Sequence, residues 1–370
     1  VRVAFLTWRD STHPDGGGSE VFVEEVAREL VRRGHDVTML CARHDGAAGD
    51  DQLDGAHVRR RGGRLTVYPR ALLWLATRGR RVDVVVDVIN GLPFGAPLVR
   101  RRGLVALVHH VHQRQWQIIY PGFWGRLGWF VEHRVTPRLY RGYPHLTVSE
   151  ASRTDLAAMG IPHDALTVVR NGVSSRPVDA ARSTTPRLCV LARLVPHKQV
   201  EHAFGVVARL RAELPDLRLD VVGEGWWHDE LVAEAARLGV EDLVTFHGHV
   251  SDAERDRLLA EAWVMLLPSV KEGWGLAVLE AAVQGTPTVA YRDAGGVTES
   301  VVDGATGLLA DDEADLFRLT RALVLDAGRR DTLGRRAAER AVEFTWSGTT
   351  DVVEQVLTGA ASVRTGRRRP

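Results

Sequence analysis

The chain of 370 residues is 45% hydrophobic and 26% charged, too long for one ordinary core and of a size for two α/β domains. Its apolar runs fall short of the roughly 18 residues of a membrane span, and its two cysteines, Cys41 and Cys189, lie far apart in apolar runs, which argues against a disulfide framework or a cysteine metal site. The net charge of +1 hides an asymmetry: residues 1–185 carry 26 Lys and Arg against 18 Asp and Glu, and residues 186–370 carry 22 against 29, so the first half either suits an anionic partner or lipid surface or simply has solvated Arg-rich helix faces.

From the amino end, residues 2–8 read as a strand, 9–18 as a Gly-rich loop and 19–33 as an amphipathic helix stopped by Gly34. Strands follow at 35–41, 82–88, 104–109 and 166–169, with helical stretches between several of them, the pattern of a doubly wound parallel sheet. Residues 174–186 lapse into Ser, Thr, Pro and Ala and mark a linker. A second series has strands at 187–191, 217–222, 243–246, 263–267 and 287–291, with helices near 200–213, 227–238, 251–261 and 276–284. The expectation is an α/β chain of two Rossmann-like domains, residues 1–180 and 181–345, with a basic, disordered tail at 359–370. Because Val1 runs straight into the first strand, no leader is read and a cytoplasmic location is expected.

Open sheets of this kind bind ligands beyond the carboxyl ends of their strands. After the first strand, Gly16, Gly17 and Gly18 permit close backbone approach and present helix N–H groups to an anion, or serve only as a connector. After residues 187–191, Arg193 and Lys198 offer a guanidinium fork and a point charge to a diphosphate, or are ordinary surface. The most specific stretch is 268–282: Glu272 precedes a helix where it can accept from sugar hydroxyls, and the amides of Gly273, Trp274, Gly275 and Leu276 can face a pyrophosphate. Glu280 lies about one turn inside, among apolar neighbours that make a carboxylate costly without a partner such as a ribose diol. His109, His110 and His112 raise the thought of a metal, but alternation on a strand turns His109 away from the other two, and no carboxylate or cysteine is near in sequence. Residues 113–145 mix aromatics with arginines; they suit an anionic bilayer or a lipid acceptor, and a buried helix with solvated Arg reads almost the same. Neither half carries G-x-G-x-x-G with an acidic residue about 20 positions on, which argues against a dinucleotide oxidoreductase.

In the order and spacing of these motifs, nearly the whole chain resembles the family-4 retaining glycosyltransferases of GT-B fold. The resemblance is carried by Gly17-Gly18-Ser19-Glu20, residues 33–38, Asn171-Gly172-Val173, Arg193 with Lys198, Gly223-Glu224-Gly225, residues 246–250, Glu272 with Glu280, and the run from Gly295-Gly296 to Gly307-Leu308. It implies an acceptor-binding first domain facing a donor-binding second domain across a cleft, and a helix near 346–358 packed back on the first. It also implies that Arg193 and Lys198 hold the donor diphosphate, Glu272 the transferred sugar and Glu280 the ribose. The backbone at His249 and Val250 would meet the base, Gly17 and Gly18 the phosphates or acceptor, and His109, or one of its neighbours His110 and His112, the sugar. The reaction so implied is metal-independent, cofactor-free hexosyl transfer from a UDP- or GDP-sugar to a glycolipid, polysaccharide or natural product by front-side attack. The expected partners are that donor and an acceptor, with no nucleic acid and with peripheral contact at the inner membrane face through 113–145. A nucleotide-sugar epimerase or hydrolase on the same fold, and a non-catalytic nucleotide-sugar binder, are the rival readings.

Overall fold

The computed structural model describes residues 1–362 apart from residue 15, and of residue 114 only the backbone. It forms two units: residues 1–172 together with the chain from Trp346 onward, and residues 173–345. The first unit is built on strands β1 (Arg2–Leu6), β2 (Asp36–Cys41), β3 (Asp50–Leu53), β4 (Ala56–Arg60), β5 (Val84–Val88), β6 (Leu104–Val108), β7 (His145–Thr147) and β8 (Leu166–Val168). They lie in the order β3-β4-β2-β1-β5-β6-β7-β8, all parallel except β3, which runs antiparallel to β4 at the edge. β5 and β6 are buried along their whole length, as parallel strands covered on both faces must be, and this is why they read as unbroken apolar runs. The exception is Asp87 within β5. It is fully buried and accepts from the backbone N–H groups of Phe94 (3.1 Å) and Ala96 (3.2 Å) and from the Tyr140 hydroxyl.

The helix Trp346–Ser362 packs on the helix Gly18–Arg32 of the first unit. Trp346 meets Phe22 edge-on at 5.9 Å, and Glu354 bonds Arg33 (2.7 Å) and His35 (2.8 Å). This helix runs to Ser362, so residues 359–362, read from sequence as the start of a disordered tail, are helical, because the buried side of the helix extends to Ala360; the rest of that expected tail, 363–370, lies outside the described residues. Residues 113–140 form short helices at Gln113–Ile119, Phe123–Phe130 and Thr136–Tyr140, with a π turn at Val131–Val135. The sequence offered a buried or an interfacial reading for this segment; Tyr140 is fully buried, whereas Phe123 and Trp124 are each 68% exposed.

The second unit has strands β9 (Arg187–Leu191), β10 (Arg218–Val222), β11 (Val244–Gly248), β12 (Val264–Leu267), β13 (Thr288–Tyr291) and β14 (Gly307–Ala310), in the order β11-β10-β9-β12-β13-β14 and parallel throughout. Numbered within the unit this is 3-2-1-4-5-6, a doubly wound order whose direction reverses between β9 and β12. The expected boundary at 180/181 falls instead at 172/173, since the linker is bonded to this unit. Val178 N–H donates to Gln284 (3.1 Å), Arg182 to the Ala262 carbonyl (3.0 Å) and the Trp263 indole to the Ser183 carbonyl (2.8 Å).

Candidate functional site

The loops leaving the carboxyl ends of β9, β10, β11, β12 and β13 share one edge of the second sheet. Two glycines hold the first of these loops against the second. A Cβ at Gly223 or Gly225 would lie 2.1 Å from the carbonyl oxygen of Ala192 or Leu194 respectively, a spacing only glycine permits. Leu194 N–H then donates to the Glu224 carbonyl (2.8 Å), which fixes the backbone beside Arg193. A tight turn at Pro196–Lys198 follows.

Lys198 and Glu272 meet directly. Nζ lies 2.5 Å from Oε1, and the two side chains retain 15% and 12% of their exposure. One comes from the loop after β9 and the other from the loop after β12, so the pair sits where the strand order reverses. The backbone of Glu272 is tied to the loop after β13: its N–H donates to Ala294 (2.7 Å) and its carbonyl accepts from Gly296 (3.1 Å). The next helix, Leu276–Val283, begins at Gly275 with φ +86°, and no side chain caps it. The Trp274 indole is buried and packs edge-on against Phe344 at 5.3 Å, so toward a ligand this residue offers its backbone.

Glu280 is not beside the Lys198–Glu272 pair in its bonding. It forms an ion pair with Arg255 (3.1 Å), which also bonds Asp252 and Asp256. Burial raises the Glu280 pKa and the Arg255 charge opposes the rise. Arg255 thus supplies the partner that the apolar setting of Glu280 demands, and the sequence reading missed it because the two are 25 positions apart on different helices. The backbone at His249 is also partly engaged, its N–H donating to the Glu224 carboxylate (3.0 Å); Val250 packs against the core.

In the first unit, Gly17 and Gly18 open the helix Gly18–Arg32, but the Gly17 N–H donates to Glu20 (2.8 Å). Glu20, 1% exposed, also accepts from Ser19 (2.8 Å) and faces Arg9 (3.4 Å). The anion at this helix end is therefore the protein's own. Of the three histidines, His110 bonds Gln115 (2.9 Å) and His112 bonds Glu132 (3.0 Å). His109 keeps a buried Nε2 with no hydrogen-bond partner among the described residues, and burial lowers its pKa to about 4. Its backbone is fixed by Ser152, whose hydroxyl donates to the His109 carbonyl (3.0 Å).

The model of the Glycosyltransferase Family 4 matches residues 16–177, and that of the Glycosyl transferases group 1 matches residues 174–340. The chain is 31% identical to the MMP alpha-(1->4)-mannosyltransferase of Mycolicibacterium hassiacum across 94% of its own length and 95% of that protein. It belongs to the group 1, family 4 glycosyltransferases. A second relative, the GDP-mannose-dependent alpha-(1-6)-phosphatidylinositol monomannoside mannosyltransferase of Mycolicibacterium smegmatis, is 28% identical over 95% of this chain and 97% of that one. Among solved structures, the sucrose-phosphate synthase of Thermosynechococcus elongatus superposes with a TM-score of 0.84 at 18% identity, covering 98% of this chain and 99% of that one. The enzyme is a glycosyltransferase of GT-B fold.

In this glycosyltransferase the carboxylate nearest the histidines was invisible locally. Glu132, 20 positions beyond His112, accepts from the His112 ring and backbone and from the Trp116 indole (2.7 Å). It organises hydrogen bonds; among the described residues no group of three His, Cys, Asp or Glu is disposed to hold a metal ion. Nor, among them, is any helix long and apolar enough to cross a membrane.

Proposed function

We propose that this glycosyltransferase takes a hexose from a nucleoside-diphosphate sugar and transfers it, with retention at the anomeric carbon, to an acceptor hydroxyl. The observation that carries the reading is the Lys198–Glu272 pair at the reversal of strand order, beside an uncapped helix start. Lys198, with Arg193 five residues earlier in the same loop and the amides of residues 273–276, stabilises the negative charge that grows on the departing diphosphate. Glu272 orients the sugar hydroxyls, and Glu280, held by Arg255, takes the ribose. His249 and Val250 border the base. His109, neutral near pH 7, has a buried ring nitrogen without a hydrogen-bond partner among the described residues, and we assign it the sugar contact. The bond from the anomeric carbon to the diphosphate oxygen breaks, the acceptor oxygen bonds the same face, and the acceptor proton passes to the diphosphate. The donor is a UDP- or GDP-sugar, and the GDP-mannose named for the M. smegmatis relative makes it the first to test. No metal or cofactor enters this scheme.

The test is Lys198→Ala, checked for folding by its melting temperature. Turnover is expected to fall on the order of a hundredfold or more, because a charge aimed at the leaving group acts mainly in the transition state. An unchanged rate refutes the assignment, and diphosphate released equally fast without acceptor favours a hydrolase.

We further propose that the enzyme works in the cytoplasm at the inner face of a membrane. In the helix Phe123–Phe130 the usual order is reversed: Gly125 and Gly128 are buried while Phe123, Trp124 and Phe130 are exposed. A Cβ on Gly128 would meet the Trp116 ring at 2.4 Å, which fixes that face inward. Exposed aromatics flanked by exposed Arg126, Arg134 and Arg138 suit an anionic bilayer. Replacing Phe123 and Trp124 by Ser should abolish flotation with phosphatidylglycerol vesicles; retained flotation would remove this part of the reading.

A further inference from the structure

An open hollow of about 70 Å³ lies in the first unit between the face of β2 and β4 and the helix Val67–Thr77. Its rim is unusual in charge. Arg70, Trp74 and Arg78 follow one another at four-residue spacing, so they form a single stripe along the helix and its carboxyl cap. Opposite them, Arg59 and Arg61 stand two apart at the end of β4 and point to the same side of the strand. Four arginines therefore line one concavity, with Arg61, Arg70 and Arg78 exposed on it, and like charges so placed favour an anion between them.

The chain supplies only part of that anion. Asp50 on β3 bonds Arg61 at 2.5 Å, and the Arg61 bond, with Arg59 and Arg78 nearby, holds the Asp50 carboxyl below its ordinary range. Among the described residues no hydrogen bond or ion pair is made by the side chains of Arg59, Arg70 or Arg78. Trp74 adds a second, independent sign. Its indole N–H is shielded from solvent and has no acceptor among the described residues, an omission that costs about 1–3 kcal/mol in a filled interior. A surplus of planar, always-charged donors with an orphaned neutral donor on the same hollow is a recognition set for phosphate oxygens.

We propose that this hollow is a phosphate-binding site, taking a phosphomonoester or phosphodiester group between Arg59, Arg70 and Arg78, with the Trp74 N–H donating to one of its oxygens. It does not depend on the donor assignment, which concerns the second unit. Such a group comes either from a soluble phosphorylated molecule or from the headgroup of a lipid, and two probes separate these sources. Glycerol 3-phosphate and dihexanoyl phosphatidylglycerol, the latter kept monomeric, are titrated calorimetrically into the whole enzyme, into Arg70→Ala/Arg78→Ala, and into a control, Arg80→Ala/Arg81→Ala, whose exposed arginines lie outside the hollow.

The expected result is saturable binding of at least one probe that weakens tenfold or more in Arg70→Ala/Arg78→Ala, weakens less than threefold in the control, and weakens about threefold in Trp74→Phe. Tighter binding of glycerol 3-phosphate assigns the site to a soluble phosphate, and tighter binding of the phosphatidylglycerol assigns it to a lipid headgroup. Absence of saturation up to about 10 mM for both probes, equal loss in the two double variants, or binding that survives Arg70→Ala/Arg78→Ala overturns the proposal.

Discussion

The helix Gly18–Arg32 in the first unit and the helix Leu276–Val283 in the second both begin just after a glycine in a glycine-rich turn, yet only the second leaves its amino end uncapped. The third helical position decides the matter. In the first unit it is Glu20, whose carboxylate takes the Gly17 N–H and faces Arg9; in the second it is the apolar Val278, and no side chain fills the place. A glycine turn thus makes N–H groups available, but it becomes a place for a foreign anion only where the chain withholds an anion of its own.

The sharpest way to break that contrast is to give the second helix a carboxylate. Ala277→Asp, in its partly exposed first turn, should weaken nucleoside diphosphate binding tenfold or more in a calorimetric titration while changing stability by less than about 1 kcal/mol; undiminished binding would separate the diphosphate from this helix end. The converse change, Glu20→Gln, should cost about 2 kcal/mol in denaturant unfolding, since Arg9 loses a buried partner, and should leave nucleoside diphosphate affinity within about threefold. A larger loss of affinity would mean that the first helix end contributes after all.

Acid offers a gentler probe of the first unit. Burial lowers His109 and His145 to about 4, so both are neutral when folded near neutrality, whereas unfolded chains bind their protons near pH 6.5. The unfolded state therefore takes up more protons as pH falls from about 6.5 to 4, and stability present above that window is lost through it. Asp87, pushed up to about 6 by burial, acts in the opposite sense between its ordinary value of 3.8 and 6. The balance is a modest fall in melting temperature from pH 7 to pH 5, made shallower by His145→Gln. Equal slopes in the two proteins would show that His145 does not titrate in this way.

Much of the fold was legible because buried parallel strands and amphipathic helices write their periods into the sequence. The five strands read in the second unit match β9 to β13 within two residues at either end, and Lys198 and Glu272, picked out by their loops, meet in space. What escaped notice had weak local signals. β3 at the sheet edge and β4 beside it are polar in sequence, DDQL and AHVRR, β7 is three residues long, and β14 is four. Arg255 beside Glu280, Glu132 beside His112, and Tyr140 beside Asp87 were equally hidden, since each pair is joined by folding rather than by spacing. The charge asymmetry of the halves was visible from composition, but that four arginines of the first half gather round one hollow follows only from the strand face and the helix stripe.

The helix Trp346–Ser362 closes a body whose other parts are complete by residue 172. During synthesis the first unit must wait through the making of 173 further residues, with a flank of Gly18–Arg32 uncovered, before Trp346 and its helix arrive to pack on it. A chain that stops before residue 346 therefore leaves bare the flank of Gly18–Arg32 that the later helix covers.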